Sequence, residues 1–455
     1  MGGIETRSAR YARGKSLRRQ VPREQHADYS LDKARDPSKI LNRADRGRLP
    51  ELLPVRYQRM TTSPFAFFRG SAALMAADLA FAPRPGINVQ ACGDCHLLNF
   101  GVFATPEGRV LFDINDFDET LAGVDFTVDL KQLVVSIAIA ALDAGNSDKK
   151  AQAVARSAAH AYRCYMTELA TLTPLKVWQT RMDVARETQR IDDAKIRRQI
   201  FNTLKLAEEK QQTDESFPQL VSAKGGVLKI ADRPPLIYHL EQHADAQHGL
   251  DASAIFASYY ASLAAERRLL AERYTLVDVA FRVGGIGSVG NFCAIGLFTT
   301  ADDEHLFLQL KQARTSVLDH IATTSDQKRH QGQRVVEGQR ILQAASDIFL
   351  SAVRDETAER DFYVRHLKNR RLASIGDLIE STALAAYADL CGRTLARAHA
   401  RSGEPAVLAG YMGRSEVFDE ALASFAMTYG EQSRRDHARL VKAQKAMSVT
   451  AAQTH

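Results

Sequence analysis

The most constraining feature of this 455-residue chain is a pair of short acidic segments in its first third. The first acidic loop reads GDCHLLN over residues 93–99, and the second acidic loop reads DINDFDE over residues 113–119. Phosphoryl transfer requires a carboxylate beside the attacking atom and oxygen ligands that hold Mg²⁺ against the phosphates. Asp94, Asn99 and Asp116 carry the side chains that this chemistry needs. The two loops therefore predict a site of the phosphotransferase kind.

The composition is that of a folded protein with enough residues for one large or two moderate domains. Hydrophobic residues make up 45% of the chain, yet no apolar run approaches the roughly 20 residues that span a membrane. The N-terminal segment lacks the apolar core of a signal peptide, so we expect a cytoplasmic location. The five cysteines are spread over the chain, which predicts reduced thiols and no disulfide framework.

The formal charge of +6 is concentrated near the N-terminus, in residues 1–55. Some basic arms bind nucleic acid, anionic lipid or a phosphorylated ligand, but most are solvated and only partly ordered. Aromatic side chains that would stack on bases are nearly absent from this arm, so nucleic-acid binding is not expected. We predict a polar lead-in with helix fragments at most.

A region rich in β-forming residues interrupts an otherwise helical chain at residues 275–315. It contains Gly285, Gly287 and Gly290 in the pattern G-x-G-x-x-G, with Ser288 among them. This pattern alone occurs both in dinucleotide-binding turns and in hairpins that cover phosphates. The residues after the third glycine are poor helix formers and reasonable strand formers, which favours a glycine-rich hairpin.

Lys311 lies in the apolar strand LFLQLKQA that follows this hairpin. An unpaired ammonium there is costly unless it meets an anion, and in a kinase-like small lobe this position reaches the nucleotide phosphates. The alternative is a lysine on an edge strand that extends to water. Glu337, on a helix predicted over residues 330–350, is our candidate for the carboxylate that orients Lys311. Asp319, Asp326 and Asp347 compete for that role.

The order of these parts is rotated relative to that of kinase-like folds. Both acidic loops and the large-lobe helices come first, and the glycine hairpin, Lys311, a helix and a hinge strand (DFYVRHLKNRR) follow. The last predicted helix, ALAAYADLCGRTLARAHARSG, precedes the catalytic loop in such folds. We predict an α+β, two-lobed protein-kinase-like fold that is circularly permuted, with a mainly helical large lobe and a small antiparallel-sheet lobe. It requires Lys311 to lie within a nucleotide's length of Asp116, and the helix ending at His399 to lie near Asp94.

This arrangement divides the chain into four parts. They are a basic arm (1–55), the first part of the large lobe with both acidic loops and a helical insert (56–274), a small nucleotide-binding lobe (275–368), and returning large-lobe helices with a C-terminal tail (369–455).

Two resemblances support this arrangement. The first acidic loop is similar to the catalytic loop H-G-D-x-H-x-x-N of aminoglycoside and choline kinases, with Asp94, His96 and Asn99 in register. Over nearly its whole length, the chain more closely resembles the bacterial domain of unknown function 2252 family. The resemblance rests on RYQRMTTSPFAFFRG, GDCHLLNFG, DINDFDET, GGIGSVG, LQLKQA and QGQRVVEGQR. It implies a kinase-like fold more strongly than any substrate.

The kinase resemblance also implies roles for individual residues. Asp94 would be the base or orienter for the acceptor, while Asn99 and Asp116 would be Mg²⁺ ligands. Asp118 would support that metal or bind a second one. Asp113 competes for the metal position. In the relatives, however, a structural Asp-Leu dipeptide follows the metal ligand by about a dozen residues, which suits Asp116 better.

By the same resemblance, Asp129 in that dipeptide would brace the backbone of the first acidic loop. His96 is expected to hydrogen-bond this loop rather than to transfer a proton. Cys92 departs from the relatives, which usually have histidine there. Three arginines, Arg56, Arg59 and Arg69, are expected either to bind substrate anions or to pair with the acidic loops.

The main hypothesis is a Mg²⁺-dependent phosphotransferase that moves the γ-phosphate of ATP to a hydroxyl or amine acceptor. The alternatives are a catalytically silent nucleotide-binding regulatory module and a nucleotidyl transferase on the same fold. The second acidic loop alone would also suit Ca²⁺ or plain solvation. Residues 92–96 match the C-x-x-C-H pattern of haem attachment, but neither an export signal nor a second zinc-type cysteine pair accompanies them. No pattern predicts the acceptor or the oligomeric state.

Overall fold

The computed structural model describes residues 5–105, 107–198, 200–202, 220–224, 227–239, 250–324, 329–367 and 383–453. These residues form a mixed α/β structure with a helical body and small antiparallel sheets. No helix within them is long and apolar enough to cross a membrane. The polar part of the predicted hinge, residues 368–371, lies outside the described residues, and so does the predicted boundary between residues 368 and 369.

The described helices are numbered here in chain order. They are α1 (Arg7–Leu17), α2 (Pro37–Ala44), α3 (Leu53–Met60), α4 (Pro64–Gly70), α5 (Ala72–Leu79), α6 (Thr127–Asp143), α7 (Asp148–Leu169), α8 (Pro174–Gln179), α9 (Val184–Gln189), α10 (Ala252–Ser262), α11 (Ala265–Ala271), α12 (Gln331–Leu342), α13 (Leu384–Ala400), α14 (Pro405–Met412) and α15 (Val417–Gln453). Helix α6 is buried along almost its whole length, because its sequence TVDLKQLVVSIAIAALD is apolar on nearly every side. Helices α7, α13 and α15 pack around it and form the main core.

The strands form one larger sheet and three pairs, all antiparallel. They are β1 (Asn88–Ala91), β2 (Phe100–Ala104), β3 (Val110–Ile114), β4 (Leu121–Asp125), β5 (Val221–Lys224), β6 (Val227–Ile230), β7 (Ile237–Tyr238), β8 (Thr275–Arg282), β9 (Cys293–Thr299), β10 (His305–Ala313), β11 (Ser351–Asp355) and β12 (Arg360–His366). The six-stranded sheet has the order β11-β12-β10-β9-β8-β7, and β1 pairs with β4, β2 with β3, and β5 with β6. The first acidic loop therefore joins β1 to β2, and the second joins β3 to β4.

The glycine-rich hairpin is confirmed, since β8 and β9 pair antiparallel on either side of it. Lys311 lies in β10, which pairs with β9 on one side and β12 on the other, so the edge-strand alternative is wrong. The helix predicted over residues 330–350 is shorter than expected and ends at Leu342. Its end is set by Gln343, whose backbone is extended and whose side chain donates to the carbonyl of Ile114. Strand β11 was not predicted.

The N-terminal segment forms short helices and is largely exposed, as predicted, but several of its basic side chains pack against the helical body instead of facing solvent. Arg18, which caps α1, donates to the carbonyl of Tyr411 at 2.7 Å. The Arg35 side chain is 6% exposed and bridges Asp78 and Asp436, each at 2.6 Å. These basic side chains pair with carbonyl and carboxylate groups of helices that are distant in the sequence. The local composition does not reveal such pairing.

Candidate active site

Helix α6 fixes the backbone of the first acidic loop. Asp129 accepts hydrogen bonds from the amides of Cys92 at 2.7 Å and Gly93 at 3.0 Å. Gln132, one turn later, accepts from the amide of Cys95 at 3.0 Å and donates to the carbonyl of Gly93 at 3.1 Å. Residues three apart share a helix face, so one buried face of α6 holds the loop. The structure thus contains the brace that the kinase resemblance implied for Asp129.

The C-terminal end of α13 reaches the same place. His399 Nε2 lies 3.1 Å from Asp129 Oδ2, and the hydroxyl of Tyr162 lies 2.9 Å from His399 Nδ1. Just beyond the helix, Ser402 Oγ accepts from the amide of Gln90 in β1 at 2.8 Å. The helix ending at His399 therefore abuts the strand that leads into the first acidic loop, as the rotated order of parts requires.

The two acidic loops touch at Gly93. Its φ of +84° is a left-handed conformation that favours glycine, and a Cβ there would lie 2.2 Å from the carbonyl oxygen of Glu119. Asn99 makes a second tie. Its Oδ1 accepts from the amide of Asp116 at 2.6 Å, while its Nδ2 donates to the carbonyls of Asp94 at 3.0 Å and Asp116 at 3.1 Å. The spacing between the two acidic loops is therefore fixed by side chain to backbone hydrogen bonds.

Asp94 lines the cleft, with 24% of its side chain exposed. Burial, together with the nearby carboxylates of Glu119 and Asp116, raises the pKa of Asp94 well above its usual value. His96 Nε2 lies 3.8 Å from Asp94 Oδ2. A carboxylate with a raised pKa is suited to accept a proton near neutral pH.

Lys311 meets the second acidic loop, 193 residues earlier in the chain. Its Nζ donates to Asp118 Oδ2 at 2.6 Å and lies 3.5 Å from Asp116 Oδ1. The Tyr363 hydroxyl donates to the other oxygen of Asp118, so both oxygens of this carboxylate are engaged. Burial alone would lower the pKa of Lys311, but Asp116 and Asp118 outweigh it and raise that pKa. Lys311 and Asp116 thus lie well within a nucleotide's length of each other.

Asp116 is more exposed to the cleft than Asp118, with 49% of its side chain accessible against 19%. Desolvation opposes its ionisation, but the positive charges of Lys311 and Arg365 lower the pKa of Asp116 to about 2. Asp113, the competing candidate for the metal position, is fully buried and pairs with Arg397. Asp116 is therefore the carboxylate of this loop that is both ionised and accessible.

The partner predicted for Lys311 was wrong. Glu337 pairs with Arg329 and accepts from Gln333 Nε2 at 3.0 Å, while Asp118 takes its place beside Lys311. The α12 residue that does reach the second acidic loop is Arg334. It donates to the carbonyl of Asp118 at 2.9 Å and also to the carbonyl of Thr120. Helix α12 therefore supports the backbone around Asp118, not the ammonium of Lys311.

The glycine loop, residues 284–291, lies over the first acidic loop. A Cβ on Gly287 would be 3.6 Å from Asp94 Oδ2, an ordinary van der Waals distance, so the glycine loop lies directly beside this carboxylate. The amides of Ser288 and Val289 both donate to the carbonyl of Gly285 and are used within the loop. Gly290 has a φ of +90° and lies against the side chain of Arg48.

Basic residues of the N-terminal half hold the glycine loop by its carbonyls. Arg59 donates to the carbonyl of Gly284 at 2.7 Å, and Arg56 donates to that of Ile286 at 2.6 Å. Arg56 also pairs with Asp45 at 3.1 Å. These two arginines therefore position the glycine loop, and because both also line the cleft, their binding of a substrate anion stays a prediction. Arg69 lines the cleft.

All three loops line one cleft of about 1880 Å³. A pocket for one small ligand typically measures about 300–1,000 Å³, so this cleft has room for a nucleotide and an acceptor together. The predicted residues that line it are Asp94, His96, Asn99, Asp116, Asp118, Gly285, Gly287, Ser288 and Lys311. Gly290 and Glu337 are not among its lining residues in the described part of the chain.

Sequence reasoning missed two residues of β12: Arg365, which lines the cleft, and Tyr363, which is buried and contacts Asp118. Tyr363 lies opposite Lys311 and Arg365 lies opposite Gln309 in the antiparallel register, so their side chains share one face of the sheet. Alternation along the predicted hinge strand DFYVRH was the available signal, because it places residues 363 and 365 on one face.

Residues 48–443 match the sequence profile of a family described as uncharacterized protein conserved in bacteria (DUF2252), and the matched range contains both acidic loops and the glycine loop. No curated protein and no solved structure matches the chain.

Proposed function

The chain belongs to the DUF2252 family of bacterial proteins, and we propose that it is a Mg²⁺-dependent phosphotransferase acting from ATP on a hydroxyl or amine acceptor. The observation that carries this proposal is the meeting of Lys311 with Asp116, at 3.5 Å, in the cleft that also contains Asp94. A lysine, an accessible ionised carboxylate and a carboxylate of raised pKa are the groups that position phosphates, hold Mg²⁺ and orient an acceptor.

The residues present fit a magnesium ion at Asp116. Its carboxylate is half exposed to the cleft, and its positive neighbours keep it ionised. Asn99 Oδ1 accepts one hydrogen bond, from the amide of Asp116, and an amide oxygen has a second lone pair to offer. Asp118 fits less well, because Lys311 and Tyr363 already engage its two oxygens. When bound at Asp116, Mg²⁺ would neutralise charge on the phosphates.

Asp94 is assigned to the acceptor. Its raised pKa suits it to take the proton of a hydroxyl or amine as that group attacks the γ-phosphorus and the bond to the β-phosphate oxygen breaks to release ADP. His96 Nε2 lies 3.8 Å from its carboxylate. The bare backbone at Gly287 allows a phosphate and an acceptor to come close together beneath the glycine loop. The lysine is oriented by Asp118, which in turn is held by Tyr363.

The same proposal includes the finer fold assignment, a two-lobed protein-kinase-like fold with a circularly permuted chain. The contacts of Ser402 with Gln90 and of His399 with Asp129 support it, because they join the end of α13 to the start of the first acidic loop. In an unpermuted chain, these segments would be consecutive. Opening the chain in a surface loop instead leaves such packing contacts intact.

The test is incubation of the protein with γ-labelled and, separately, α-labelled ATP, Mg²⁺ and a metabolite or protein extract. Wild type is compared with Asp116→Ala and with Glu337→Gln, which changes a carboxylate outside the cleft. Transfer of γ label that disappears in Asp116→Ala and persists in Glu337→Gln supports the proposal. Transfer of α label would replace it with nucleotidyl transfer, and thermal stabilisation by ATP without any transfer would replace it with a silent nucleotide-binding module.

A further inference from the structure

The charge of Lys311 is already balanced inside the protein. Its ammonium lies 2.6 Å from Asp118 and 3.5 Å from Asp116, and the Tyr363 ring lies 5.5 Å away. A nucleotide triphosphate that enters this cleft adds several negative charges beside these two carboxylates. Such a ligand therefore calls for further cations besides Lys311, and several arginines line the cleft, Arg365 among them.

Arg365 differs from Lys311 in its direct contacts, although Asp116 and Asp118 are near enough to raise its pKa. Its Nε donates to Gln309 Oε1 at 3.2 Å and its Nη1 donates to the carbonyl of Asn115 at 3.2 Å, so both of its acceptors are neutral. Across the described residues, its guanidinium forms no salt bridge with a carboxylate, and its Nη2 donates to no protein acceptor. Arg365 lines the cleft, and Asn115 is the residue directly before Asp116.

The geometry points to Arg365 as the anion-binding residue of the cleft, and we propose that it binds the phosphate groups of the nucleotide. This inference rests on the function proposed above and adds a second cation, on the strand neighbouring that of Lys311. A guanidinium presents a planar fork whose N–H groups match phosphate oxygens, which makes it better suited to this task than an ammonium. Two of its N–H groups donate to Gln309 and Asn115, and these hydrogen bonds orient the guanidinium. Nη2 is left to donate to the ligand.

The experiment measures the binding of three ligands by calorimetry: ATP, inorganic tripolyphosphate and adenosine. Arg365→Gln removes the charge, and Arg365→Lys keeps the charge without the fork. Arg360→Gln is the matched control, because it removes the same charge from the same strand outside the cleft. Charged hydrogen bonds are typically worth about tenfold to a hundredfold in affinity, so Arg365→Gln should weaken ATP and tripolyphosphate by at least about tenfold. Adenosine should bind within about twofold of wild type, and Arg365→Lys should fall between the two.

The inference is overturned if Arg365→Gln binds ATP as tightly as wild type, or if adenosine affinity falls by the same factor as ATP affinity. The second result would indicate a role in shaping the pocket alone. The two proposals can fail separately. If wild type transfers the γ label but Arg365→Gln binds ATP with unchanged affinity, the proposed phosphotransferase activity is supported and the role of Arg365 is refuted. If tripolyphosphate binding depends on Arg365 but no label is transferred, the role of Arg365 is supported and the phosphotransferase activity is refuted.

Discussion

The contact between the two acidic loops can be tested at a single atom, the Cβ that Gly93 lacks. In Gly93→Ala, the new methyl group would lie 2.2 Å from the carbonyl oxygen of Glu119. Because the obstacle is backbone, it cannot rotate away as a flexible side chain would. The second acidic loop must move, or the first must leave its hydrogen bonds to Asp129 and Gln132.

Two separate effects contribute to the expected loss of stability. The φ of +84° costs a non-glycine residue about 1–2 kcal/mol. Forcing a methyl group into a packed contact costs about 1–3 kcal/mol more. Gly145 provides a control for the first effect, because its φ is +79° and a Cβ there would meet nothing within 4 Å. Gly145→Ala should therefore lose only about 1–2 kcal/mol.

The two variants are compared by urea unfolding followed by circular dichroism, and by γ-label transfer from ATP. Gly93→Ala should unfold at a lower urea concentration than Gly145→Ala, with a difference of about 1–3 kcal/mol in the free energy of unfolding. It should also lose label transfer, while Gly145→Ala keeps it. Equal unfolding midpoints for the two variants would refute the argument, since the contact with Glu119 would then have no energetic consequence.

Three further predictions concern the charged and thiol groups. Asp118→Asn should lower the free energy of unfolding by about 3 kcal/mol, because it breaks a buried ion pair with Lys311. Glu337→Gln should lower it by less than about 1 kcal/mol, because the ion pair of Glu337 with Arg329 is partly exposed. Thermal unfolding compares the two variants. Asp116 has a pKa of about 2, below its ordinary value of 3.8, so the stability that it contributes is complete above about pH 4 and is lost as the pH falls towards 2. The difference in urea midpoint between wild type and Asp116→Asn should accordingly stay constant from about pH 7 to pH 5 and shrink below about pH 4. Of the five free thiols, Cys164 is half-buried and the other four are buried. A thiol reagent should therefore modify one thiol in the native protein and all five in urea. Rapid reaction of two or more thiols in the native protein would contradict this burial.

The acidic loops were predictable because their polar residues stand at fixed spacings within short segments. The kinase resemblance, through the distance between Asp116 and Asp129, favoured Asp116 over Asp113 for the cleft, and the structure buries Asp113 against Arg397. The glycine hairpin was predictable for a related reason, since the residues that follow Gly290 are strand formers. Each of these predictions used information local to one stretch of chain.

The partner of Lys311 was not predictable in this way. Glu337 was chosen because it lies on the helix that follows Lys311, but the carboxylate that reaches the ammonium comes from Asp118, 193 residues earlier. Which carboxylate reaches Lys311 depends on the position of the second acidic loop relative to the sheet. Arg334 helps to fix that position by donating to the carbonyl of Asp118. No local pattern specifies such a distance. The packing of the N-terminal arginines was missed for the same reason.

The polar residues of the site divide into those that face the backbone and those that face the cleft. Asp129, Asn99 and Arg334 direct their hydrogen bonds at loop amides and carbonyls, so the loops are held in place by the protein itself. Asp116 and Arg365 instead present groups to the cleft that the protein does not fully satisfy. A loop fixed by its own backbone contacts needs no ligand to order it, which reduces the entropy lost on binding. The first group should therefore determine stability, and the second should determine affinity and turnover.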